Sequence, residues 1–138
     1  MNQEEDNWMP LESNPEVINT FIAKMGLKVN EYNFQEMLSI EDWAQEMLPQ
    51  PVLGIMLLYE QSPVQVDFKK QQEESLNPEN VSKDVFYMKQ FAHNACGTIA
   101  LFHIIINALN QYPDIVNPNS YLLKFRDEAQ EKDPKSRG

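Results

Sequence analysis

The chain has 138 residues, 42% of them hydrophobic, enough for one domain with a sizeable core. Its 21 acidic against 11 basic residues give a net charge of −10, which excludes nucleic acid as the expected partner and suits a neutral or basic protein surface. With a single cysteine, no signal core in the acidic N-terminus and no apolar run of membrane length, a soluble cytoplasmic or nuclear protein without a membrane partner is expected.

Residues 1–7 read as a solvated, disordered lead-in, and Trp8 and Leu11 begin the ordered part. Asn14 is a good N-cap and Pro15 a good first helical residue. Val17, Ile18, Phe21, Ile22 and Met25 then form one apolar stripe that Gly26 ends. Residues 28–39 show no clean period, with a short extended piece expected at 32–34. Residues 41–48 predict a short helix stopped by Pro49 and Pro51. Residues 52–59 are apolar throughout, which predicts a strand in the middle of a sheet covered on both faces. Gly54 weakens such a strand unless something packs close against it.

The polar run 66–76 carries Lys69, Lys70, Glu73 and Glu74 at the spacing of a solvated surface helix, and 77–80 is a loop. Residues 85–88 lead into an almost unbroken apolar run from Ala95 to Leu109, the pattern of a buried helix. Ser120 is placed to cap a last helix over 121–130. The tail 131–138 is low in apolar content and reads as linker or disorder. There are no internal repeats.

The functional signal is Gln90-Phe-Ala-His-Asn-Ala-Cys-Gly-Thr-Ile-Ala-Leu-Phe-His103. Cys96 falls in the first turn of the expected helix, among unpaired backbone N–H groups and at the positive end of the dipole, which favours a nucleophilic thiolate. Gly97 leaves room for a close approach by backbone or substrate. Gln90 is positioned to offer an amide where an oxyanion would form. From these residues alone an inert core thiol is the commoner reading. A redox or thiol-transfer role is weaker, because Cys96 has no resolving partner.

Gln90, three residues, then Asn94-Ala95-Cys96-Gly97 resembles the nucleophile motif of the ubiquitin C-terminal hydrolases, papain-like cysteine deubiquitinases of the small type. The flanking residues 85–89 and 101–103 resemble the same block. Residues 8–17, beginning Trp8-Met-Pro-Leu-Glu12, are similar to the N-terminal segment of that family.

The resemblance implies Cys96 as nucleophile and Gln90 as oxyanion donor. It implies ubiquitin as partner, bound through Pro10, Leu11 and Glu12, with no cofactor and no metal. The reaction implied is hydrolysis of ester, thioester or amide bonds at the C-terminal glycine of ubiquitin. A non-catalytic ubiquitin-binding or structural subunit is the alternative.

The fold implied is α/β of the α+β type, a papain-like ubiquitin hydrolase with a central, mostly antiparallel sheet between helices, incomplete in this chain. Residues 8–130 would be the N-terminal part of the catalytic domain and 131–138 a linker or crossover-loop remnant. By the same resemblance, the base histidine and its aspartate partner lie on strands beyond this chain. The 138 residues alone are then expected to be inactive, with a second chain or a C-terminal half completing the sheet. His103 follows Cys96 by seven residues, roughly 10 Å along a helix at about 1.5 Å per residue, too far to serve as its base.

Overall fold

A computed structural model describes residues 7–133 together with 136 and 137. Residues 1–6 of the expected lead-in at 1–7, and residues 134, 135 and 138 of the tail, lie outside the described residues, while Asn7 pairs with His93 in a parallel bridge.

Five helices carry the architecture: α1 (Pro15–Met25), α2 (Asp42–Glu46), α3 (Pro63–Ser75), α4 (Cys96–Ala108) and α5 (Tyr121–Gln130). Their limits follow from local chemistry. The Asn14 side chain accepts the Glu16 N–H at 2.9 Å, with Pro15 at the first helical position. Gly26 closes α1, its N–H bonded to the carbonyls of Ile22 and Ala23. The Ser120 hydroxyl accepts the Leu123 N–H at 3.3 Å and opens α5.

The surface helix begins earlier than the charge pattern predicts, at Pro63 rather than at 66. The reason is a capping box: Ser62 accepts the Gln65 N–H at 3.3 Å, and the Gln65 side chain accepts the Ser62 N–H at 2.8 Å. Near 41–48 only Asp42–Glu46 is helical.

The core sits where α1, α4 and α5 meet. Ile22, Leu101, Ile115 and Leu122 are its most deeply buried large side chains, and Phe102 meets Phe125 with ring centroids 5.0 Å apart. Residues 26–28 and 115–117 cross beside it. There Lys28 N–H donates to Ile115 O at 2.9 Å and Asn117 N–H to Gly26 O at 2.8 Å, around a single antiparallel bridge between Leu27 and Val116.

The expected α/β class is overturned. Among the described residues there is no sheet, and pairing is limited to two isolated bridges, Asn7 with His93 and Leu27 with Val116. Residues 52–59 form no ladder with any other described segment. Apolarity marks a segment for burial, but a strand also needs a neighbour to take its N–H and C=O groups, and none lies alongside. The stretch lies instead as irregular chain against α4. A Cβ at Gly54 would stand 2.7 Å from Ile104 Cγ2, so the glycine does serve a close approach, made by a helix side chain. Leu53 and Met56 pack against the core, while Ile55, Leu57 and Leu58 are 68%, 77% and 71% exposed.

That exposed row is expected to drive self-association. Replacing both Leu57→Lys and Leu58→Lys should lower concentration-dependent light scattering while leaving stability within about 0.5 kcal/mol, the ordinary range for surface changes. Equal scattering from the double variant would show that the row is not the adhesive surface.

Candidate active site

Cys96 is the first residue of α4 and is exposed. The turn that delivers it is built by Asn94, whose φ of 61° lies in the left-handed region. Asparagine tolerates that region better than other side chains larger than glycine, because its short amide bonds locally. Here the Asn94 Nδ2 donates to Asn7 Oδ1 at 3.0 Å. One residue away, Trp8 N–H donates to His93 O at 3.0 Å. The N-terminal strap is thus tied to the residues immediately before the cysteine. Ala95, the N-cap, is buried and makes no side-chain cap hydrogen bond to the first-turn N–H groups of α4.

Gly97, next along α4, is buried. A Cβ there would lie 3.0 Å from Leu11 Cβ. The close approach expected at this glycine is made by the strap: Leu11 is half-buried against the core, whereas Pro10 and Glu12 on either side of it are exposed. All three line a broad groove of about 1130 Å³ that α1 walls with Val17 and Phe21. Ala95, just before Cys96, and Thr98, two residues after it, reach the same groove. The structure therefore brings the strap residues singled out in the sequence to the start of the cysteine helix. They meet α4 one residue beyond the thiol.

Gln90 is exposed, and its Nε2 donates to the Ala92 carbonyl at 3.0 Å. His103 is turned to a different task. It is half-buried on α4, its Nε2 accepts the Met88 N–H at 3.0 Å, and its ring stacks on Tyr87 at 5.1 Å between centroids. Burial pushes its pKa below the usual histidine value. One turn on, Asn107 accepts the Phe86 N–H at 2.8 Å and donates to the Phe86 carbonyl at 2.9 Å and the His103 carbonyl at 2.7 Å. Among the described residues no buried side-chain nitrogen or oxygen lacks a hydrogen-bond partner. No cluster of three or more His, Cys, Asp or Glu comes together there as metal ligands, and no helix is long and apolar enough to cross a membrane.

Sequence reasoning missed the Asn94–Asn7 tie and the pair His103 and Asn107. The second had a visible signal: two polar residues four apart in an otherwise apolar helix mark one stripe that faces something polar.

Cys96 thus presents an exposed thiol at the start of α4, where the N-cap makes no side-chain hydrogen bond, beside the strap and the groove. Comparison with known proteins gives the chain its family. The profile of ubiquitin carboxyl-terminal hydrolase, family 1, matches residues 8–138, and the chain belongs to that family. It is 35% identical over 133 residues to a ubiquitin carboxyl-terminal hydrolase of Drosophila melanogaster, covering 95% of this chain and 56% of that protein. It is 34% identical over 118 residues to ubiquitin carboxyl-terminal hydrolase 3 of Arabidopsis thaliana, covering 86% of this chain and 50% of that protein. To the rat isozyme L1 it is 34% identical over 128 residues, covering 93% of this chain and 56% of the isozyme. The chain thus spans about half the length of the curated relatives it matches.

The turn at Asn94 gives a local prediction. Asn94→Val places a β-branched side chain in the left-handed region and removes the tie to Asn7, which should cost about 1–3 kcal/mol by thermal or urea unfolding. Asn94→Gly keeps the backbone and should lose less. A glycine variant as unstable as the valine would assign the cost to the side-chain tie alone.

Proposed function

We propose that the chain supplies the nucleophile and the oxyanion side of a cysteine deubiquitinase working in the cytoplasm. The Cys96 thiolate attacks the carbonyl carbon at the C-terminal glycine of ubiquitin. The oxygen becomes an oxyanion, held by the Cys96 backbone N–H and the Gln90 amide. Collapse of that intermediate expels the amine, alcohol or thiol, which takes a proton, and leaves a thioester. Water then attacks the thioester, releasing the ubiquitin carboxylate and regenerating the thiol. Ubiquitin rests on Pro10, Leu11 and Glu12 at the groove mouth.

The observation that carries this reading is the exposure of Cys96 at the uncapped start of α4, inside a family match that runs from residue 8 to 138. In this reading neither histidine of the chain is the base, which with its aspartate comes from a further segment. Gln90 then exchanges its Ala92 partner for the oxyanion when substrate arrives. The test is release of a fluorophore from the C-terminus of ubiquitin, with and without Cys96.

A second reading, a non-catalytic ubiquitin-binding subunit, draws support from the Gln90 amide being engaged with Ala92. The same assay separates the two, since a binding subunit holds ubiquitin without turning it over under any complementation.

A further inference from the structure

We propose that His103 is a positioning residue, a neutral-imidazole latch that holds residues 86–88 on α4 and so fixes the approach to Gln90 and Cys96. Its bearing on Gln90 rests on the hydrolase reading above; the latch itself does not.

The geometry is that of a short strand gripped by a helix. Residues 86–88 run beside α4 without a strand partner, and two side chains of α4 stand in for one. Asn107 takes both the N–H and the carbonyl of Phe86, and His103 Nε2 takes the N–H of Met88. Phe86 and Met88 are buried, so these groups have no water to fall back on and a lost partner is costly. The Tyr87 ring lies nearly parallel to the imidazole, at 18°, closing the latch from the other side. Gln90 follows Met88 by two residues, and the chain then turns at Asn94 into Cys96.

The two halves of this grip differ in one respect. An asparagine amide does not titrate, whereas a protonated imidazole has no lone pair left to accept the Met88 N–H. Protonation of His103 therefore turns an acceptor into a donor facing a donor. The Phe86 half of the grip is untouched.

Charged groups on the neighbouring elements are few. Arg137 lies over the Phe86 ring at 4.8 Å and donates to the Tyr87 carbonyl at 2.9 Å. Lys83, Asp84 and Arg126 line an adjoining cleft with Phe86, and Lys89 is exposed beside Met88. Residues 51–59, which reach α4 at Ile104, carry no ionisable group but Tyr59, whose hydroxyl is bonded to Lys69. None of these is a carboxylate in contact with the imidazole, and burial is the largest influence on the ring. Because the folded-state pKa is lowered, the stabilisation is complete above the unfolded value of about 6.5 and is lost as pH falls through the folded value.

The test is amide-resolved hydrogen exchange on the full chain, corrected for intrinsic rates, with the His103 ring titrated by NMR in parallel. Between about pH 7.5 and about pH 5, the Met88 amide is expected to exchange about three- to tenfold faster, the worth of one hydrogen bond, while Phe86 changes less. His103→Gln keeps an acceptor that does not titrate, and should retain Met88 protection and abolish the step. His103→Ala should leave Met88 fast at both pH values, with the Phe86 amide reporting that the chain is still folded.

A step that survives in His103→Gln, Met88 protection that His103→Ala leaves unchanged, or equal loss of protection at Phe86 would each overturn the latch. No ubiquitin and no turnover enter the measurement. Failure of the hydrolase reading therefore leaves it standing, and its own failure leaves the hydrolase reading intact.

Discussion

Cys96→Ala is expected to abolish every trace of ubiquitin-directed hydrolysis, the largest effect of any single substitution in this protein. The Cys96 sulfur is the only protein atom in the proposed reaction that forms a covalent bond to substrate, and no neighbouring group can replace it. The comparison must be made where turnover is measurable. With the base supplied only by solvent, the unaltered 138-residue chain should release fluorophore on the order of 10⁴-fold more slowly than a papain-type site holding its histidine. Supplying a second polypeptide that bears the base histidine and aspartate should recover turnover, if that polypeptide docks. In that complex Gln90→Ala should lower kcat by roughly 10²–10³ with little change in KM, because the oxyanion exists only in the transition state. Fast turnover by the chain alone that is lost with His93→Ala would mean instead that His93 is its base.

The second large effect is structural. Leu101→Ala empties the centre of α4 at a position with no solvent exposure, within the core that α1, α4 and α5 share. Large-to-small changes at such sites cost about 2–5 kcal/mol, against a total stability of about 5–15 kcal/mol for a domain of this kind. Thermal unfolding should shift down by roughly 10 °C. A shift of only a degree or two would mean that the α1, α4 and α5 contact is not the principal core.

Helices α1, α4 and α5 were legible in the sequence because each carries a local signal of its end or its face. Asn14 with Pro15, Ser120, and the run from Ala95 state helix ends or faces within a few residues. The sheet was misread because residues 52–59 carry only half of a strand's specification. Their apolar side chains are local information, but their partners are not, and no described segment pairs with them as a strand. Gly54 was read only as a weak point of that strand unless something packed close; the strand is absent, and the close neighbour is Ile104 of a helix.

At the site, Cys96 and the strap were visible as motifs, and the strap's arrival beside α4 was not. That contact depends on Leu11 meeting Gly97 across 86 positions of sequence, and on the Asn94 to Asn7 bond. Pairings of that range leave no period to read. His103 and Asn107 were visible as polar interruptions, but only the fold shows that they grip Met88 and Phe86.

The most direct test of Cys96 as the ubiquitin-directed nucleophile asks for one bond and no base. Ubiquitin carrying an electrophile in place of its C-terminal glycine carboxylate is incubated with the 138-residue chain, and the intact mass is read. The account predicts a single adduct of one ubiquitin, mapped to Cys96 by peptide sequencing, and none with Cys96→Ala. Absence of any adduct, under conditions where a small alkylating agent modifies Cys96 in the same sample, would contradict it.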